Sequence, residues 1–168
     1  MYLIKKLCLA VLCCGLTAFS ANASGTSSIV IDAQSGNVLY SDNAETLRYP
    51  ASLTKLMTLY ITFNALETGK LKLSDKLKVS HTAASRSPSK LGMPAGSYID
   101  VKTLIQALIV KSANDCATVL AEALSPNEAE FAKLMTKTAH KLGMYRTTFK
   151  NTSGLPNNTK KTTAKDLA

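Results

Sequence analysis

The apolar and polar positions of this chain fall into short segments of different period, each closed by glycine, proline or small polar residues. Ser27–Asp32 and Val38–Tyr40, short apolar runs rich in β-branched and aromatic residues, read as two strands, and Ala33-Gln34-Ser35-Gly36-Asn37 between them has the composition of a hairpin turn. From Leu53 the period lengthens. Leu53, Leu56, Met57, Tyr60, Ile61 and Ala65 recur at helical spacing and Gly69 stands where a helix would stop, which predicts a helix over 52–67. Leu71, Leu73, Leu77 and Val79 suggest a short extended segment within 72–80, and 81–96, rich in Ser, Pro and Gly, reads as loop. Val101–Lys111 is strongly apolar and predicts a helix. A break at Ser112-Ala113-Asn114-Asp115 separates it from a second helix, from about Cys116 to Leu124. Pro126 and Asn127 open a third, Glu128 to Leu142, which Gly143 ends. Thr147–Phe149 suggests a short strand, 151–161 is turn-rich, and a further helix begins at 162–166 with a threonine cap. The strands are too few for a stable sheet and the sequence stops one turn into a capped helix, so the expectation is an incomplete domain.

The first 23 residues differ in character. Lys5 and Lys6, the apolar run Leu7–Phe19 and the small residues Ala21-Asn22-Ala23 form the pattern of a secretory signal peptide. The alternative is an uncleaved N-terminal anchor, for which the run is short. Export to the periplasm or cell envelope is expected, with residues 24–168 as the mature domain. Cys8, Cys13 and Cys14 leave with the signal, so Cys116 stands alone and reads as a small buried residue rather than a nucleophile. The net charge of +9 suits peripheral association with anionic lipid or cell-wall polymer. Its lysines are scattered, with no aromatic-rich or Gly-rich nucleic-acid-reading motif, so no nucleic-acid partner is expected. His81 and His140 lack metal-ligand spacing and read as surface or packing residues.

The candidate chemistry sits at the start of the first helix, in Pro50-Ala51-Ser52-Leu53-Thr54-Lys55. A serine hydroxyl needs a base, and a lysine three residues on lies on the same helical face one turn away. Pro50 suits a first helical turn, which puts Ser52 where the dipole and free N–H groups favour developing negative charge. Burial would lower a lysine's proton affinity and fit Lys55 for the role of proton acceptor. Ser-x-x-Lys is a weak string, however, and it occurs again at Ser87-Pro88-Ser89-Lys90, where Pro88 argues against a helix. A second constellation, Ser112-Ala113-Asn114, lies between two apolar helices. There a hydroxyl could relay a proton and an amide could bind a substrate carbonyl, although Ser-x-Asn alone carries almost no information.

Six blocks in order resemble the penicillin-binding D-alanyl-D-alanine carboxypeptidases, low-molecular-mass serine peptidases of bacterial cell walls. They are Ile31-Asp32-Ala33-x-Ser35-Gly36-x-Val38-Leu39-Tyr40, Pro50–Lys55, Ser112–Asp115, Leu142-Gly143-Met144, Phe149-Lys150-Asn151-x-Ser153-Gly154-Leu155 and Thr163-Ala164-Lys165-Asp166. The resemblance implies an α+β fold of the serine β-lactamase and DD-peptidase type. An antiparallel sheet, of which this chain supplies only the N-terminal hairpin, would join a helical subdomain. It also implies roles. Ser52 would be the acyl-ester nucleophile toward the D-Ala-D-Ala end of a peptidoglycan stem peptide, with its backbone N–H in the oxyanion hole. Lys55 would be the proton acceptor, Ser112 the proton relay and Asn114 a substrate-binding residue. β-Lactams would acylate Ser52, and no metal or organic cofactor is required. Asp115 reads as a helix cap.

The resemblance breaks at one element. The family's Lys-Thr/Ser-Gly tripeptide does not occur in these residues: Lys102-Thr103, Lys137-Thr138 and Lys161-Thr162 are followed by Leu, Ala and Thr. Without that strand's oxyanion donor a rate falls about 100- to 1000-fold. The 168-residue chain is therefore expected to be inactive by itself, a part of an active carboxypeptidase. A non-catalytic penicillin-binding or interaction module stays open as an alternative. A serine β-lactamase fits less well, because no glutamate lies between Lys141 and Asp166 to activate a deacylating water.

Overall fold

A computed structural model describes residues 25–156 and 161–168; the expected signal peptide, 1–23, lies outside the described residues. Two antiparallel strand pairs flank a group of helices. Strands β1 (Ser28–Ile31) and β2 (Val38–Asp42) form the expected hairpin, with Ser28 opposite Asp42, Val30 opposite Tyr40 and a bulge between Val30 and Ile31. Its turn is tied by Asp32, whose carboxylate accepts from the amide and hydroxyl of Ser35, while Gly36 takes φ +72°. A single 3-10 turn, Ala51–Leu53, leads into α1 (Thr54–Glu67). Then come β3 (Lys76–Lys78), α2 (His81–Ala84), β4 (Tyr98–Asp100), α3 (Val101–Lys111), α4 (Asn114–Leu124), α5 (Glu128–Lys141) and α6 (Ala164–Leu167).

Helix α4 is the axis of the molecule. Asn114 to Ala121 are all buried, because α1, α2, α3 and α5 pack around it. On one side Val101, Leu104, Ile105 and Leu108 of α3 meet Cys116, Ala117 and Leu120; on the other Phe131, Met135 and Ala139 of α5 join Met57, Ile61 and Ala121. A fully buried side chain of the size of Leu104 or Phe131 stabilises by about 1.5–3 kcal/mol, so these two seams fix α4 against both neighbours. The starts of α3, α5 and α6 carry side-chain caps, the last two of them expected. Asp100 accepts from Thr103 N at 2.8 Å, Asn127 from Glu130 N at 2.9 Å and Thr163 from Asp166 N at 3.0 Å.

Four expectations need correction. Residues 81–84, expected as loop, are one helical turn capped by Ser80, and 98–100, for which no element was expected, are a strand paired with β3, Lys76 facing Asp100. Thr147–Phe149 is not a strand; Thr148 makes an isolated bridge to Lys161, and Arg48 another to Thr162. The apolar face expected for α1 is only half buried. Leu56 is 55% exposed, Leu53, Tyr60 and Phe63 face outward too, and the buried face holds Thr54, Lys55, Thr58 and Thr62 beside Met57, Ile61 and Ala65. Threonines can go inward because their hydroxyls are used: Thr58 donates to Thr152 O at 2.8 Å and Thr62 to Thr58 O at 2.8 Å. Finally, Asp115 is not a cap. Ala113 holds that position, and the buried Asp115 carboxylate accepts from the amides of Leu91 and Gly92 at 2.9 and 2.8 Å, pinning the long loop to α4.

Candidate active site

Pro50 (φ −70°) turns the chain, and Leu53 N donates to Pro50 O at 3.0 Å to close the 3-10 turn that presents Ser52. Ala51, immediately before Ser52, sits at φ +47°, a left-handed conformation uncommon outside glycine. Ser52 is exposed at the head of α1, and Lys55, one turn on, is only 4% exposed. The Lys55 Nζ donates to Ser52 Oγ at 3.4 Å and to the carbonyl of Ser153 at 2.7 Å. The contact expected from four letters is therefore present, and the longer of the two bonds is the one to Ser52. Catalytic hydrogen bonds are often long before substrate tightens them.

The 151–154 turn that supplies this carbonyl is built for close approach. Asn151 Oδ1 accepts from Gly154 N at 2.7 Å, and Asn151 Nδ2 donates to Leu155 O at 2.9 Å. Gly154 has φ +86°, and a Cβ there would lie 1.7 Å from the carbonyl oxygen of Ala51. The turn thus rests directly on the backbone that presents Ser52. No side-chain pattern announces a backbone acceptor such as Ser153 O, although Asn151 and Gly154 three residues apart do signal a tight turn. Thr54 Oγ1 and Ser153 Oγ are buried beside this contact with no hydrogen-bond partner.

Ser112 caps the C-terminal end of α3, half-buried and left-handed at φ +54°, and Asn114 begins α4 with 5% exposure. Left-handed non-glycine residues store strain of order 1–3 kcal/mol and cluster at working sites; here they are Ala51 and Ser112, with Asn43 in the hairpin exit. Both N–H donors of Asn114 used within the fold go to the second Ser-x-x-Lys segment: its backbone N–H to Ser89 O at 2.7 Å and Nδ2 to Ser87 O at 2.9 Å. That segment forms no serine–lysine pair. Among the described residues no hydrogen bond joins Ser87 Oγ to Lys90 Nζ, which donates to Ala84 O, and the segment supports Asn114 through its carbonyls.

Cys116 is fully buried, and desolvation followed by the Asp115 charge pushes its thiol up to about 12, so it is inert at neutral pH. His140 Nε2 lies 3.2 Å from Thr147 O, its ring tilted against Tyr145 at 6.4 Å, and His81 is exposed on α2. Among the described residues no three His, Cys, Asp or Glu side chains stand together as a metal site, and no helix is long and apolar enough to cross a membrane.

An exposed serine on a helix head, bonded to a buried lysine, stands inside an α+β frame that matches the penicillin-binding fold. The chain belongs to the D-alanyl-D-alanine carboxypeptidase family, whose sequence profile matches residues 16–168. The carboxypeptidase DacF of Bacillus subtilis is 38% identical over 142 residues, 84% of this chain and 36% of that protein. The crystal structure of DacD from Francisella tularensis superposes with a TM-score of 0.83 at 36% identity, covering 84% of this chain and 34% of that one. Penicillin-binding protein D2 of Listeria monocytogenes, crystallised in an ampicillin-bound form, gives 0.69 at 33% identity over 88% of this chain and 60% of its own. This chain spans about a third of the length of the curated relatives it matches.

Proposed function

We propose that the chain carries the acylating centre of a serine-type D-Ala-D-Ala carboxypeptidase acting in the bacterial cell wall. The observation that carries this reading is the buried Lys55 Nζ 3.4 Å from the Ser52 hydroxyl, anchored on the Ser153 carbonyl. Ser52 Oγ attacks the carbonyl between the two terminal D-alanines of a peptidoglycan stem peptide, and Lys55 Nζ takes its proton. Ser112 passes a proton to the departing D-alanine nitrogen, and Asn114 receives the substrate amide at its side-chain oxygen, its nitrogen being held by Ser87. Water then releases the shortened peptide from Ser52. A β-lactam carbonyl takes the place of the dipeptide and acylates the same oxygen. Residues 1–23 direct export to the periplasm or cell envelope, and the basic surface favours peripheral association with an anionic envelope surface.

Incubation with benzylpenicillin followed by intact-mass measurement tests the nucleophile. A single adduct is expected on wild type and none on Ser52→Ala; an adduct that persists in Ser52→Ala would sink the assignment, as would its absence from wild type. Release of D-alanine from a peptide ending in D-Ala-D-Ala separates the two readings. An adduct without release selects the non-catalytic penicillin-binding module.

A further inference from the structure

Between the two catalytic segments lies a carboxylate that no motif contains. Glu128, in the first turn of α5, uses its two oxygens on different segments. Oε1 accepts from both the backbone N–H of Thr152, at 3.1 Å, and its hydroxyl, at 2.8 Å. Oε2 is paired with the guanidinium of Arg86. Arg86 Nε in turn donates to Thr118 Oγ1 at 2.9 Å, and that hydroxyl donates to Asn114 O at 3.2 Å. On the other side, the Thr152 carbonyl accepts from Thr58, and the next carbonyl, that of Ser153, accepts from Lys55. Glu128 and Arg86 are each about one-fifth exposed, so the pair is well shielded from solvent.

We infer that Glu128 is a positioning residue for Lys55, holding Thr152 so that the Ser153 carbonyl stays where it aims the lysine nitrogen at Ser52. The inference rests on the reading of Lys55 as the base. A neutral amine has one lone pair, and its direction is set by where its N–H bonds are tied. With one N–H on Ser153 O at 2.7 Å, the nitrogen can turn its lone pair to the Ser52 proton. If the turn loosens, the amine rotates on its flexible stem and the proton transfer suffers, while the cleft that binds ligand is unchanged. The effect therefore belongs to the acylation rate constant and not to the affinity that precedes it. Two features argue that this is more than packing. Glu128 takes both donors of one residue adjacent to the catalytic acceptor, and the Arg86–Thr118 arm ties the same carboxylate to the helix start that presents Asn114.

Stopped-flow acylation by a fluorescent penicillin on the full chain separates the rate constant from the preceding dissociation constant. Glu128→Ala is expected to lower the rate constant about tenfold, a fraction of the roughly 100- to 10,000-fold a positioned base contributes, with the dissociation constant within about twofold. Glu128→Gln should recover most of the rate, because its amide oxygen still accepts from Thr152. Glu130→Ala, two residues further along α5 and paired with Lys133 on the surface, should match wild type. The second readout needs no turnover: the NMR signal of the Lys55 ε-methylene, assigned by its loss in Lys55→Met, should move in Glu128→Ala and not in Glu130→Ala. If wild type forms no penicillin adduct, the acyl-transfer reading fails and the NMR comparison still decides the positioning role. A Lys55 signal unmoved in Glu128→Ala overturns the inference, as does a raised dissociation constant with an unchanged rate. Should Glu128→Ala not fold, Glu128→Gln and Thr152→Val carry the same two measurements, and a wild-type Lys55 signal in both overturns it.

Discussion

Replacing Gly154 by alanine puts a methyl group where the 151–154 turn lies against the strand of backbone that presents Ser52. The added Cβ would stand 1.7 Å from Ala51 O, 2.4 Å from Ala51 C and 3.0 Å from Thr54 Oγ1, and ordinary contact begins at 3.4 Å. A gap of about 1.7 Å must therefore open, and no rotamer can open it, because the obstruction is main chain already held at φ +47°. Holding alanine at φ +86° adds roughly 1–2 kcal/mol. The Lys55–Ser153 bond at 2.7 Å is lost once the turn moves by about half that gap, a further loss of about 1–3 kcal/mol. Together about 2–5 kcal/mol is expected, a fall in Tm on the order of 10 °C for a domain of this size. A displacement of about 1 Å at a reacting group lowers a rate about 100-fold, so penicillin acylation should fall by at least that factor. Thermal melting by circular dichroism and the rate of adduct formation by mass spectrometry measure the two effects. A variant that melts within about 2 °C of wild type and acylates within threefold would show that the close approach does not constrain Ser52.

Three further outcomes follow from other contacts. Asp115→Ala strips the buried acceptor from the Leu91 and Gly92 amides and should destabilise by about 2–4 kcal/mol in urea titration; a change under about 0.5 kcal/mol would contradict the pinning role. Asp100 is held below the ordinary aspartate range, chiefly by the Thr103 N–H and then by its side chain, with Lys76 adding to it. Since the folded value is the depressed one, its contribution is complete above the unfolded value and lost as pH falls through the folded one. Tm should decline below about pH 4 less steeply in Asp100→Asn than in wild type, and parallel curves would remove Asp100 from the acid response. Cys116 should resist iodoacetamide at pH 8 in the native protein and be alkylated in urea, as read from its tryptic peptide; native labelling would mean the α4 seam opens readily.

The long elements were legible because their periods were long enough to count. Val101, Leu104, Ile105 and Leu108 repeat over about two turns, and Val101–Lys111 is a helix as expected, whereas β4 is three residues and α2 four, shorter than any period that could reveal them. The α1 face was misjudged for a chemical reason. Hydropathy ranks Leu56 and Tyr60 as inward and Thr58 and Thr62 as outward, but the inward face needed hydroxyls to meet the Thr152 carbonyl and the helix's own carbonyls. The site divides in the same way. Ser52 and Lys55 declare themselves through local spacing, which one helical turn converts into contact. Ser153 O, the Asp115 anchor and Glu128 depend on partners more than 20 residues away, many of them backbone atoms, and these leave no local pattern.

The second Ser-x-x-Lys segment bears on how variants of this chain are to be interpreted. What it offers Asn114 are two carbonyls, at Ser87 and Ser89, and every amino acid has one. Changing side chains there leaves the contact in place, whereas removing or adding a residue between Arg86 and Leu91 shifts both acceptors off Asn114. The constrained quantity is the length of the segment and not its letters. A substitution scan would chart this stretch as tolerant surface, and a deletion scan would chart it as part of the support of Asn114.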